Sequence, residues 1–174
     1  MGLFEVTYDI FKPFMDGVKK PLNVMEVSNL WSFLVICNNT ICNEEVAYNI
    51  AQDSELKQIL KDAKKIHQTT ADEITKLLKE EGIPLPQDTP EKPTVDFGNI
   101  QEGAGLKDDE IANLMSYNLV LGVTYSTRGL TESIRADVGL LFFKVIIKKT
   151  ALGLTLKQLM EKHNWLRLAP YYKS

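Results

Sequence analysis

Apolar residues recur along this chain at alternating steps of four and three, the spacing that keeps side chains on one helix stripe facing a partner. Four stretches carry the pattern. In residues 53–82 the stripe reads Leu56, Leu60, Ala63, His67, Thr70, Ile74 and Leu77, turning small and polar at its midpoint, His67. Before it come Val27, Leu30, Leu34, Cys37, Ile41, Glu44, Tyr48 and Ala51, a stripe widened by Val24, Trp31, Val35 and Asn38. After it come Ile111, Leu114, Asn118, Leu121, Tyr125 and Arg128, then Val138, Leu141, Phe142, Val145, Leu152, Leu156 and Leu159. Four core-facing helices are predicted, hence an all-α bundle.

The ends of these stretches carry helix signals. Asn23 followed by Glu26 forms a capping-box-like start, and Asp53 opens the second helix after a connection so short that the first two helices must be antiparallel neighbours. Gly82, Ile83 and Pro84 spell a helix stop. Asp108 or Asp109 is expected to cap the third helix, and Ser133 or a neighbour to start the fourth, which Asn164 and Pro170 end.

Residues 83–107 hold four prolines and three glycines and no helical period. A helix of about 28 residues is roughly 42 Å long, and 25 extended residues reach about 80 Å, so this loop can run the whole length of the bundle. It would set the third helix parallel to the second. A disordered linker is the alternative, disfavoured because Val95, Phe97 and Ile100 gain by lying on the bundle. Two hairpins joined by one crossover make a ferritin-like antiparallel four-helix bundle with a long crossover between helices 2 and 3. The domain is expected over residues 21–163, preceded by an apolar arm (1–20, with Leu3, Phe4, Phe11 and Phe14) and followed by an aromatic tail (164–174).

Composition changes this picture little. A net charge of -3 and a pI near 5.5 give no positive field for nucleic acid. The most apolar window, residues 140–147, is interrupted by Lys144, so no transmembrane helix is expected, and with no secretion or myristoylation pattern the expectation is synthesis in the cytoplasm. Cys37 and Cys42 lie five apart, about 140° round a helix, and should not pair.

Candidate chemistry concentrates at His67. A dimetal bundle needs a Glu on each of two helices and Glu-x-x-His on the other two, all at one level. Counting from the helix ends places Cys37, Asn38, Asn118, Leu121, Gly122 and Lys148 or Lys149 opposite His67, whose local motif is Lys64-x-x-His67. Glu44 falls about 10 Å away by this count. The dimetal reading is rejected, and no cofactor, bound metal or catalytic group is expected. What remains is a polar core layer at His67, Cys37, Asn38, Asn118 and Tyr125, with Thr70 as a further partner for the ring. As a pocket it could take a small molecule or a single ion. Arg135 and Asp137 are expected to pair at the turn before the fourth helix.

The chain resembles a small uncharacterised family of ferritin-like, candidate spore-coat proteins from spore-forming bacilli. The likeness rests on NLW (Asn29 to Trp31), GIPLP (Gly82 to Pro86), SIRAD (Ser133 to Asp137) and APYY (Ala169 to Tyr172). It implies the bundle fold and association with the coat, and no reaction. The expectation is a non-enzymatic structural or interaction protein of the spore coat or of sporulation. The apolar arm and the aromatic tail point to a homodimer, with other coat proteins as further partners.

Overall fold

A computed structural model describes residues 12, 19–87, 89–95, 105–167, 169, 170 and 172. Most of the expected apolar arm, together with Phe97, Ile100 and Tyr171, lies outside the described residues. Four helices make the fold: α1 (Val24–Ile50), α2 (Ser54–Glu80), α3 (Asp108–Glu132) and α4 (Ala136–Lys162).

The predicted starts of the first two helices form as expected. Asn23 Oδ1 accepts from the N–H groups of Met25 and Glu26, while the Glu26 carboxylate accepts from Asn23 N–H. Asp53 accepts from Leu56 N–H at the start of α2. Gly82 ends α2 with φ +69°, and Ile83 N–H closes back on Leu78 O at 2.9 Å.

At the other two starts the side chains are used differently. Asp108 accepts from the N–H groups of Gln52 and Asp53 across the bundle, and Glu110 takes over the first turn of α3 by accepting from Lys107 N–H. Ser133 donates back to Gly129 O in α3, and α4 begins after Arg135.

These contacts fix the topology. The start of α1, the ends of α2 and α3 and the start of α4 share one end of the bundle, through Glu26, Glu81 and Arg135. The end of α1 and the starts of α2 and α3 share the other, through Asp108, and Lys162 at the end of α4 reaches Glu55 there. Parallel helices α2 and α3 are therefore diagonal, and every adjacent pair is antiparallel.

Over its described residues 83–87 and 89–95, the crossover travels along α1. Trp31 Nε1–H donates to Pro84 O, Glu45 accepts from Lys92 N–H, and Asn49 both donates to Pro93 O and accepts from Val95 N–H. Because α1 buries Glu26, Glu44, Glu45 and Asn49 while Val24, Trp31 and Val46 are exposed, it has almost no net amphipathic direction. One of its faces packs the core and another carries polar anchors for the loop.

The core divides in two. Leu30, Phe33, Ile74, Leu78, Val138 and Phe142 fill one half, with the Phe33 and Phe142 rings edge to face at 5.6 Å. Leu56, Leu60, Ile111, Met115, Leu156 and Met160 fill the other. A fully buried Phe or Leu contributes about 1.5–3 kcal/mol, so these layers account for most of the drive to fold.

The third helix is rotated relative to the expected stripe. Its buried face is Ile111, Ala112, Met115, Leu119, Gly122, Ser126 and Gly129, while the predicted Leu114, Leu121, Tyr125 and Arg128 lie outside. Hydropathy selects the face with the largest apolar groups. Packing selects the face whose second half is small, because Gly122, Ser126 and Gly129 let α4 approach while Ile111, Met115 and Leu119 fill the core before them. A Cβ at Gly129 would stand 2.5 Å from the Phe142 ring.

Candidate functional site: a buried Glu–His–Lys layer beside a cavity

His67 sits in mid-α2, between the two halves of the core, and is 3% exposed. Its Nδ1 lies 2.9 Å from Glu44 Oε1 on α1, and its Nε2 meets Lys149 Nζ on α4. A carboxylate only accepts, so Nδ1 carries the ring proton and donates to Glu44; Nε2 then accepts from Lys149. Glu44 and Lys149 are themselves buried. The three groups form a single file, with the carboxylate and the ammonium on opposite sides of the ring.

This arrangement corrects two expectations. Glu44 is in contact with His67, not about 10 Å away. Counting Cα levels overlooks that side chains lean toward their own helix N-terminus. In antiparallel α1 and α2, Glu44 and His67 therefore lean toward each other, and a glutamate spans the remaining offset. The ring's partners, in turn, are Glu44 and Lys149 in place of the expected Asn38, Asn118, Thr70 or Tyr125; Thr70 bonds back to Ile66 O in its own helix.

Counting levels offers Lys148 or Lys149 opposite His67, and the structure selects Lys149, although apolar patterning alone passes over a lysine. Yet it falls on the four-three stripe between Val145 and Leu152, and that register was the available signal. Room for it comes from α3. A Cβ at Gly122 would stand 2.8 Å from Lys149 Cε and Nζ, so only glycine lets the side chain pass toward His67. Burial holds the Lys149 ammonium below its ordinary pKa.

Cys37, completely buried in the same region, is pushed up to about 12 by that burial and, more weakly, by the Glu44 charge, against the pull of Lys149. Its thiol is neutral and leaves the charge balance of the layer unchanged.

Beside the layer, α1 and α3 pack least closely of the adjacent helices, and a cavity of about 470 Å³ opens between them. Glu44, His67 and Lys149 stand at its inner end; Ala47, Leu60 and Met115 are among its apolar walls, with Asn118 at the rim. Of the five sequence candidates, His67 and Asn118 line this cavity and Cys37 lies behind it in the core. Asn38 is half-buried and does not line it, and Tyr125 is 48% exposed on the outer face of α3.

The residues do not fit a dimetal centre. Glu44 and His67 supply two donors, and Lys149 occupies the remaining ring nitrogen with a group that opposes a cation. Among the described residues no three His, Cys, Asp or Glu side chains gather to hold an ion.

A second charged cluster closes one end of the bundle. Glu26 Oε1 accepts from the N–H groups of Ile134 and Arg135 at 2.8 and 2.7 Å. The Arg135 guanidinium donates to Asp137, Glu81 and Lys20 O. Hydrogen bonding to Asp137 and then to Glu81 raises the Arg135 pKa despite its burial. The expected Arg135–Asp137 pair is present, and Glu26 and Glu81 complete it from α1 and the end of α2.

The similar proteins below are described without an activity. An uncharacterised Bacillus subtilis protein, YvdQ, is 28% identical over 153 residues, which is 88% of this chain and 90% of that protein. A crystal structure from Bacillus halodurans, described as that of a "putative spore coat protein", superposes with a TM-score of 0.85 at 27% identity, covering 89% of this chain and 98% of the other. A conserved hypothetical protein of Mycobacterium tuberculosis shares the fold alone, with a TM-score of 0.64 at 14% identity over 79% of this chain and 98% of its own. Among the described residues no helix is long and apolar enough to cross a membrane. The match to the family described as "Protein of unknown function (DUF3231)" extends over residues 11–174, and the chain belongs to that family.

Proposed function

We propose that this protein is a non-enzymatic interaction protein that self-associates and serves in the spore coat or in sporulation. The observation that carries this reading is the outer face of α3. Leu114, Tyr117, Leu121 and Tyr125 follow at helical spacing on that face, and Tyr117 is 63% and Leu114 53% exposed. Val120, 61% exposed, widens the stripe. Contiguous apolar surface of this kind marks a contact surface, and a symmetric dimer is the commonest way to cover one. The coat role is supported by the description of the Bacillus halodurans relative.

Light scattering on the purified chain is expected to report a dimer, and Tyr117→Ser with Leu121→Ser to shift it to monomer with the helix content kept. A fluorescent fusion is expected at the forespore surface in sporulating cells. A monomer at high concentration would sink the self-association half of the proposal, and diffuse fluorescence the coat half.

The cavity favours a second reading, a small-molecule binding bundle. Its volume lies within the roughly 300–1,000 Å³ of ligand pockets, and it combines apolar walls with a few converging polar groups.

A further inference from the structure

We propose that the cavity between α1 and α3 takes an uncharged, mainly apolar molecule whose carbonyl oxygen accepts a hydrogen bond from Lys149 Nζ. This inference rests on the small-molecule reading of the cavity and names the class of ligand.

The head group follows from the inner end of the cavity. Lys149 Nζ carries up to three hydrogens, and its one hydrogen bond among the described residues is to His67 Nε2. It lines the cavity, so a further N–H can serve an acceptor there. His67 has both ring nitrogens engaged, one by Glu44 and one by Lys149, and Glu44 is an acceptor already facing a donor. At this inner end Lys149 is thus the group with unused donors; Glu44 keeps acceptor sites only, and the amides of Asn43 and Asn118 line the cavity as well.

Charge decides between classes of acceptor. The Glu44 carboxylate and the Lys149 ammonium already balance across His67. A carboxylate ligand would bring a second negative charge into the same buried layer as Glu44, and an ammonium would meet Lys149. Uncompensated charge costs far more in a buried site than an unused hydrogen bond does. A neutral carbonyl uses the donor and leaves the balance intact. The walls then set the body of the molecule: Ala47, Leu60, Met115 and Leu119 offer only apolar contact.

The test uses the full chain and three probes of equal chain length, 2-decanone, decanoate and decylammonium, titrated by calorimetry at neutral pH. The ketone is expected to bind, with each ion at least tenfold weaker. Lys149→Met should weaken the ketone about tenfold, the loss expected for one hydrogen bond to a charged donor. Ala47→Phe, which fills the cavity from α1 and leaves Glu44, His67 and Lys149 unsubstituted, should abolish binding of all three.

Decanoate binding as tightly as the ketone, or a folded Lys149→Met chain that keeps full ketone affinity, would overturn the choice of head group while leaving a binding cavity in place. Failure of all three probes would remove the small-molecule reading itself. Should Lys149→Met not fold, the ketone-to-decanoate ratio and the Ala47→Phe variant decide the question.

Discussion

Two charged clusters are buried in this bundle, and they are built on opposite plans. At the end that holds Arg135, every charge has several partners: Glu26 accepts from three backbone N–H groups, and Arg135 bonds two carboxylates and a carbonyl. In the middle, Glu44, His67 and Lys149 stand in single file, and the last of them faces a cavity. Dense satisfaction ties helices together. A chain of single contacts beside an open volume leaves unused donors at Lys149, so the first cluster reads as architecture and the second as the layer where we propose binding.

Glutamate deletion should separate the two most strongly. Glu26→Ala leaves three N–H groups without their acceptor where α1, α3 and α4 meet; at about 1–3 kcal/mol for each shielded orphan the ceiling is about 9 kcal/mol, and because two of the three are only part-buried a loss near the low end, about 3 kcal/mol, is expected. Glu44→Ala opens onto a cavity that can admit water, so about half that loss is expected. Urea unfolding of both variants checks the ratio; equal losses would erase the distinction.

The two glycines that make room for α4 offer a smaller contrast. Gly129→Ala drives a methyl into the Phe142 ring, which is buried and braced against Phe33, and should cost about 1–3 kcal/mol. Gly122→Ala meets the flexible end of Lys149 instead. A loss of about 1 kcal/mol or less is expected, with the Lys149–His67 contact broken, visible as a shift of the His67 ring resonances.

The smallest contrast lies in pH. Hydrogen bonds from Arg135 and then Lys19 hold Glu81 below the usual carboxylate range. Its contribution is complete above the ordinary glutamate pKa of about 4.3 and is lost as the pH falls through the lowered folded value. Lys149 behaves in the reverse direction. Its ammonium is held below the ordinary 10.5, so between the folded and unfolded values the unfolded chain binds more protons and the fold gains stability as the pH rises. Glu81→Gln should flatten the acid limb of stability against pH, and Lys149→Met the alkaline limb.

Much of the fold was legible because it rests on periodicity and local chemistry. The capping box at Asn23 and Glu26, the stop at Gly82 and the length of the crossover depend on neighbours in sequence. What stayed hidden depends on which small residues let helices approach. The buried face of α3 was misread because Leu114, Leu121 and Tyr125 outweigh Ala112, Gly122 and Gly129 in hydropathy while losing to them in packing. The site was half visible: His67 stood out, whereas Glu44 required the lean of side chains and Lys149 required trusting register over residue type.

The crossover also bears on how two copies of the chain can meet. A loop long enough to span the bundle could in principle swing one hairpin onto another molecule, giving a dimer by exchange of α3 and α4. Here it is fastened to its own first helix at Pro84, Lys92, Pro93 and Val95. Strand-like release of the loop would forfeit those anchors before any intermolecular contact formed. For the self-association proposed above, side-by-side docking of closed bundles is therefore the cheaper assembly, and Leu114, which belongs both to the exposed stripe of α3 and to the cavity lining, would place the contact beside the cavity.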